Sequence, residues 1–411
     1  MNRYRITAKL LSPLVVRKER QSQRSEGVSS LPGTLVRGAL ARIYLEHGSA
    51  DDLFQRLFVD EQTCRYGPLD PGEQPFPRSA ASCKREGGFA ADGKHGIIDL
   101  LWSRIARRLL GKELPEPWRT ASMRCRHCGN DLKAKDGFWI TVEGTRREAY
   151  DQWLRGTNAH VGIDRYTHSA HESILYSLPT LEPREQGTVL TGWLEAGEDE
   201  VCELKRLLSE EDGEVRLGHA RTRGYGRVQL SISETKPSTP SDRITWSAAL
   251  IAMLNEMSLS FDPARHLFFS LGLPTGALLF DRVLRYSLDP SGMVPWLPQL
   301  PPPDATQPVL NFPATTFESG KLWCVTAVSA HERLRGWNAA HGLPRQDEWI
   351  VSRGAVYAYL FEGDESSRAT LLHRLDELET TGLGGRRGEG FGRVIVSDPF
   401  HRDYHKQETG S

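Results

Sequence analysis

The sequence predicts an α+β protein made of two tandem ferredoxin-like domains, the first carrying a zinc-binding insertion. Three observations predict it. One order of elements, strand, helix, glycine-rich loop and strand, occurs twice in the chain. Ser233-Glu-Thr-Lys-Pro-Ser-Thr-Pro-Ser-Asp242 between the copies has the composition of a linker. Four of the six cysteines, Cys64, Cys83, Cys125 and Cys128, fall in one stretch of the first half.

The first half spans about 1–235, with its cysteine-rich insertion at about 60–135. Tyr4 to Leu11 alternates as a strand. Pro32-Gly33 marks a turn, Thr34 can cap the helix that follows, and Leu35, Ala39, Leu40, Ile43 and Tyr44 give it one apolar face. Gly187 to Glu195 reads as a strand, and Glu200 to Glu210 as a helix with Val201, Leu204, Leu207 and Leu208 on one side. Leu217-Gly-His-Ala-Arg-Thr-Arg-Gly-Tyr-Gly-Arg-Val228 then leads into the strand Gln229–Ile232.

The second half, 243–400, repeats the pattern. Ser247 to Ser258 is the helix expected to match that of residues 34–46, so that each half reads β-α-β…β-α-β. Gly354 to Glu362 is the strand, and Ser367 to Thr380 is the helix, with Leu371, Leu372, Leu375 and Leu378 aligned. Leu383-Gly-Gly-Arg-Arg-Gly-Glu-Gly-Phe-Gly-Arg-Val394 is the loop, and Ile395-Val396 continues the last strand. Pro290 to Pro313 holds eight prolines and reads as an extended, exposed insertion, with Trp296 and Leu297 free to dock on a partner. Residues 401–411 read as a tail.

Composition narrows the function classes. The 411 residues carry a net charge of −1, which argues against coating nucleic acid by bulk charge. The charge is uneven, however: Arg3 to Arg42 holds nine basic residues and only Glu19 and Glu26 as acids. No long apolar run or signal-like N-terminus is present, so a cytoplasmic address without a membrane partner is expected.

Glycines permit positive φ and close backbone approach to a ligand, and successive free N–H groups make an anion-binding concavity. Arg221, Arg223 and Arg227 in the first loop, and Arg386, Arg387 and Arg393 in the second, can fork onto phosphates or stack on bases. Tyr225 and Phe391, each between two glycines, can stack on a base or pack beneath the loop. Neither loop ends in the Gly-Lys-Ser/Thr of a P-loop, and each follows a helix, the reverse of the dinucleotide fingerprint.

Cys125-Arg-His-Cys128, followed by Gly129-Asn130, is a metal knuckle. With Cys64 and Cys83 it completes a closed, structural Zn²⁺ site; His95 or His127 can replace one cysteine. Cys202 and Cys324 sit in apolar patterns and read as core. Asn158 to Glu172 contains His160, His168 and His171, which invite an acid–base role but read equally as an RNA-contacting hairpin or a structural loop.

These residues together resemble the RAMP proteins of CRISPR systems, which are built from ferredoxin-like, RRM-related domains. Leu10-Leu-Ser-Pro-Leu14 and Leu31-Pro-Gly-Thr-Leu-Val-Arg-Gly-Ala-Leu40 resemble that family's strand followed by P-G-S-x-x-R-G-A, with Thr34 in place of the serine. The glycine loops at Gly218–Gly226 and Gly384–Gly392 stand where the family carries its own. The cysteine pattern and the segment His160-Val-Gly-Ile-Asp-Arg-Tyr-Thr…Ile174-Leu-Tyr176 are similar to the tandem subunit of type III-D effectors, the Csx-ten type.

The resemblance implies a non-catalytic, group-five-like subunit that caps an effector and holds the 5′ handle of the guide RNA. Implied partners are guide RNA, target RNA, a backbone RAMP subunit and the large signalling subunit. The expected RNA contacts are Arg17, Lys18, Arg20 and Arg37; His160 and Arg165; Gly218, Arg221, Arg223, Gly224, Tyr225, Gly226 and Arg227; and Gly384, Gly385, Arg386, Arg387, Phe391 and Arg393. Group-six relatives cut precursor guide RNA with a histidine, so the alternative is a metal-independent endoribonuclease using His47, His160 or His168.

Overall fold

Tyr4, Ile6, Ala8 and Leu10 point to one side of the strand Asn2–Leu10, and Arg3, Arg5, Thr7 and Lys9 to the other. That alternation fixes which sheet face is covered. The structure, a computed structural model, describes residues 1–16, 30–149, 153–185, 187–235, 242–302, 307–338 and 343–406. Arg17, Lys18 and Arg20, the centre of the linker (236–241) and residues 407–411 lie outside the described residues. The fold is mixed α/β, and among the described residues no helix is long and apolar enough to cross a membrane.

The first sheet is antiparallel, in the order Glu214–Arg216, Arg227–Glu234, Asn2–Leu10, Val189–Ala196, Cys64–Tyr66. Helices Gly33–His47, Asp52–Phe58 and Glu198–Glu210 cover its apolar face, where Ile6, Val36, Leu40, Leu194, Leu204 and Val228 form one core. Gly33 is required by packing, because a Cβ there would lie 1.9 Å from the Tyr66 carbonyl oxygen. Thr34 does not cap the helix as expected; the helix starts one residue earlier, after Pro32, without a side-chain cap. Glu198, Asp199 and Glu200 fill the first turn of the helix Glu198–Glu210, where acids favour the helix dipole.

The second sheet is also antiparallel, in the order Thr315–Phe317, Gly320–Val328, Ala355–Glu362, His266–Leu273, Ile395–Val396. Both of its faces are covered, so Ala355–Glu362 is apolar almost throughout rather than alternating. On one face, Phe269, Leu271, Tyr357 and Tyr359 pack with Leu371, Leu375 and Leu378 of the helix Glu365–Thr381. On the other, Phe268, Trp323, Val325 and Leu360 pack with Trp246, Leu250 and Leu254 of the helix Asp242–Glu256.

This placement corrects the expected β-α-β opening of the second half. The helix Asp242–Glu256 precedes the strand His266–Leu273 and lies on the face opposite the helix Glu365–Thr381. A 3.6-residue period reports an apolar face, but not which side of a sheet it meets. The proline-rich stretch also differs from expectation. Val294 and Leu297 are buried in the core of one face and Val309 in that of the other, so Leu297 already docks on its own sheet.

The insertion, together with residues 136–149, forms two small three-stranded sheets. Its helix Leu101–Leu110 sends Trp102, Ile105, Ala106 and Leu109 into the core beneath the second sheet. Residues 401–406, expected as tail, pack against it. Phe400 and Tyr404 join Phe76, Phe89 and Trp139, and His401 Nδ1 lies 3.1 Å from the buried Asp99 carboxylate.

Candidate nucleic-acid interface and metal centre

The two glycine loops have one backbone conformation. Gly218, Ala220, Gly224 and Gly226 have φ of 75°, 57°, 87° and 80°. Gly384, Arg386, Gly390 and Gly392 have φ of 92°, 57°, 90° and 74°. A short 3₁₀ turn occupies Arg221–Arg223 in one loop and Arg387–Glu389 in the other. Three hydrogen bonds pin each loop in the same way: Leu217 N to Gly226 O, Gly226 N to Pro13 O and His219 N to Val15 O, matched by Leu383 N to Gly392 O, Gly392 N to Gly276 O and Gly385 N to Leu278 O. The last glycine of each loop is indispensable, since a Cβ would fall 2.0 Å from Leu217 O or 1.8 Å from Leu383 O.

Their surroundings differ. The second loop is wedged against the first half. Gly390 closes on the Tyr66 carbonyl, leaving only 2.5 Å for a Cβ, and Arg387 Nη2 reaches Glu61 Oε1 at 3.2 Å. Arg386 pairs with Glu348 and Glu389, and Arg37 lies 3.6 Å from Glu389. Arg393 lies over the Trp193 ring at 5.8 Å, where desolvation, aided by the nearby Arg3, pushes its guanidinium down to about 10. These expected RNA contacts, Arg37 among them, are thus engaged within the chain. In the first loop, Thr222, Arg223 and Gly224 are exposed, and a Cβ on Gly224 would meet nothing within 4 Å.

The first loop leans on a long hairpin, Trp153–Ile163 with Ala170–Pro183. His160 and Tyr176 are directly opposite in the register, and their rings stack at 5.3 Å and 16°. Tyr225 is buried under the loop rather than offered to a base; its hydroxyl meets Asn158 Nδ2 at 3.1 Å and His160 Nε2 at 3.0 Å. Arg223 donates to the Tyr176 hydroxyl and lies over its ring at 5.6 Å. Arg227 is held by Glu214 through two bonds of 2.7 and 2.8 Å. Arg165 and His168 sit in the exposed hairpin turn, where Asp164 accepts the N–H groups of Tyr166 and Thr167. Those two N–H bonds hold the Asp164 carboxyl below its ordinary range.

The three candidate catalytic histidines are not brought together. His47 ends the helix Gly33–His47 and lies 3.4 Å from Glu211; His160 is bonded to Tyr225; His168 is in the turn with φ of 49°. Asn158 and Tyr176, which complete the Tyr225 cluster, were visible only as part of the histidine segment. Glu61 gave no sequence signal, because its role depends on a loop 326 positions away.

Cys83, His95, Cys125 and Cys128 place one ligand atom each within 4.8 Å of one another. Cys83 Sγ lies 3.5 Å from Cys128 Sγ, and Cys125 Sγ lies 3.6 Å from His95 Nδ1. A tetrahedral ion with Zn–S bonds of about 2.3 Å spaces its ligands by about 3.8 Å, so the residues fit such a metal ion. The knuckle is shaped by Gly129, φ 68°, whose N–H bonds Cys125 O at 2.8 Å. The Asn130 backbone and side-chain amides face Cys128 and lower its thiol to about 6.

Cys64 is not a member, a correction to the expected four-thiolate set. It sits opposite Ala196 in the first sheet, only 4% exposed, and burial raises its thiol to about 12. His95 takes its place, while His127 stacks on His95 at 5.3 Å. Cys324 is buried as expected, whereas Cys202 is exposed on its helix.

The sequence model of the RAMP superfamily matches residues 7–229, more than half of the chain. No curated protein matches it. Among solved structures, a chain of the type III-B Cmr-beta complex bound to cognate target RNA is 12% identical, with a TM-score of 0.38, covering 95% of this chain and 96% of that one. The complex with target RNA and AMPPnP gives 13%, 0.37, 91% and 89%. Oligomeric Cmr4 from Pyrococcus furiosus gives 13% and 0.26, covering 57% of this chain and 99% of that one. The chain belongs to the RAMP superfamily.

Proposed function

We propose that this chain is a non-catalytic RNA-binding subunit of a type III CRISPR effector, of the III-D kind, that caps the complex and holds the 5′ handle of the guide RNA. One observation carries the reading: of two loops with the same backbone, the second is consumed by the chain itself, and the first is left open and cationic beside a stacked His160–Tyr176 pair. Arg221 and Arg223 contact phosphates, while the ring pair and the hairpin turn with Arg165 offer surface for bases and backbone. The halves 1–235 and 243–400 act as two ferredoxin-like domains, the second with its first helix ahead of its first strand, and a structural Zn²⁺ at Cys83, His95, Cys125 and Cys128 braces the insertion. A backbone RAMP subunit, the large signalling subunit and target RNA complete the partners, in the cytoplasm.

Purifying a tagged copy from its native host and sequencing the bound RNA tests this. RNAs sharing one constant 5′ end are expected; absence of co-purifying RNA would contradict it. Repeat RNA incubated with the protein without metal should stay intact. Specific cutting lost on His160→Ala or His47→Ala would favour the endoribonuclease instead.

A further inference from the structure

The second loop covers the outward side of the first sheet. Leu194 and Ala196 of the strand Val189–Ala196 face the core, so Trp193 and Glu195 face the other way. Trp193 is nevertheless only 9% exposed, because Arg393 and the end of the loop close over it. Between the halves there remains a cavity of about 10 Å³, against which Arg65, Trp193, Glu195, Glu379, Arg387 and Arg393 are placed. That volume admits one sphere the size of a water molecule, and no carboxylate or phosphate.

The charges around the cavity do not balance. Glu195 serves both Arg3 and Arg65, Glu379 pairs with Arg243, and Glu61 pairs with Arg387. Among the described residues, no carboxylate pairs with Arg393, which has only the Trp193 ring beside it. Desolvation pushes its guanidinium down to about 10, as befits a cation buried without a counter-ion. Hydrogen bonding shows the same excess. Arg393 Nε, Arg387 Nε and Trp193 Nε1 are buried N–H donors without an acceptor. The oxygens of Glu195 and Glu379 already accept, from Arg3, Arg65, Arg243 and the Val396 N–H. A water molecule would bring further O–H donors to a place short of acceptors. A halide ion only accepts, and its charge answers that of Arg393.

We infer that this cavity binds one chloride ion, held by the N–H groups of Arg393, Arg387 and Trp193, and that the ion fastens the second loop to the first sheet. The site is separate from the RNA-binding reading and does not depend on it. Chloride is favoured over a larger anion by the size of the cavity, and over water by the surplus of donors.

Urea unfolding of the full chain at constant ionic strength, with chloride exchanged for gluconate, tests the site. An ion bound only by the folded chain raises the folding equilibrium constant about tenfold for each tenfold rise in chloride above its dissociation constant. Wild type should show that rise. Arg393→Met, which still covers the Trp193 ring but removes the charge, should lose it. A wild type indifferent to chloride, or an Arg393→Met variant with the same chloride dependence, overturns the inference. Should Arg393→Met fail to fold, bromide-soaked crystals of wild type decide. An anomalous peak is expected between Trp193 and Arg393; a water molecule or an empty cavity there overturns the site.

Discussion

Cys64 and Cys125 belong to the same cysteine-rich stretch yet to different chemistry. Cys125 faces His95 across a gap that suits a metal ion, whereas Cys64 is a core thiol on a strand of the first sheet. Cys125→Ser should therefore purify with little metal by elemental analysis. Cys64→Ser should keep its metal and lose about 1–3 kcal/mol of stability, the cost of burying an unpaired hydroxyl; full metal in Cys125→Ser would count against the site. The C-x₂-C pair was legible because its reach is local. The choice between Cys64 and His95 was not, because it depends on which strands the chain places in the insertion and which in the first sheet. Tyr225 shows the same limit: a ring between two glycines can face solvent or the hairpin, and only the partners Asn158 and His160 decide.

Elements carry the repeat, and glycines make it rigid. Gly224 and Gly392 both have positive φ, but Gly224 has open space around it while a Cβ on Gly392 would strike Leu383 O at 1.8 Å. Denaturant unfolding should separate them. Gly224→Ala should cost about 1–2 kcal/mol, the left-handed penalty alone, and Gly392→Ala about 4 kcal/mol or more. Equal costs would mean that the loop relaxes around the added methyl. Both loops were legible from glycine spacing, because each conformation needs glycine at fixed offsets. The side of the second sheet on which the helix Asp242–Glu256 packs was not, since its apolar stripe fits either face, and the insertion helix that shares that core lies 130 or more positions away in sequence.

Across the whole molecule, the halves are interlocked rather than strung together. The insertion of the first half covers one face of the second sheet, the C-terminal segment packs back on the insertion, and Arg353 reaches Asp70 at 2.8 Å. The linker-like sequence marks the join between the halves; the contacts that lock them together are long-range and leave no local pattern. His401 reports on this closure. Burial pulls its imidazole down, but the Asp99 carboxylate outweighs it and holds it above the ordinary value. A raised folded-state value gives stability that is full below about 6.5 and fades as pH rises through it. The stability advantage of wild type over His401→Gln should therefore shrink as pH rises above about 6.5 in thermal melts; an advantage that grows with pH would contradict the pairing. The central claim, that the first loop grips RNA while the second grips the chain, is tested most directly by ultraviolet crosslinking of bound RNA followed by peptide mass spectrometry. Crosslinks should fall on residues 217–228 and on the hairpin around His160 and Tyr176, with 383–394 unlabelled. Labelling concentrated on 383–394 would contradict it.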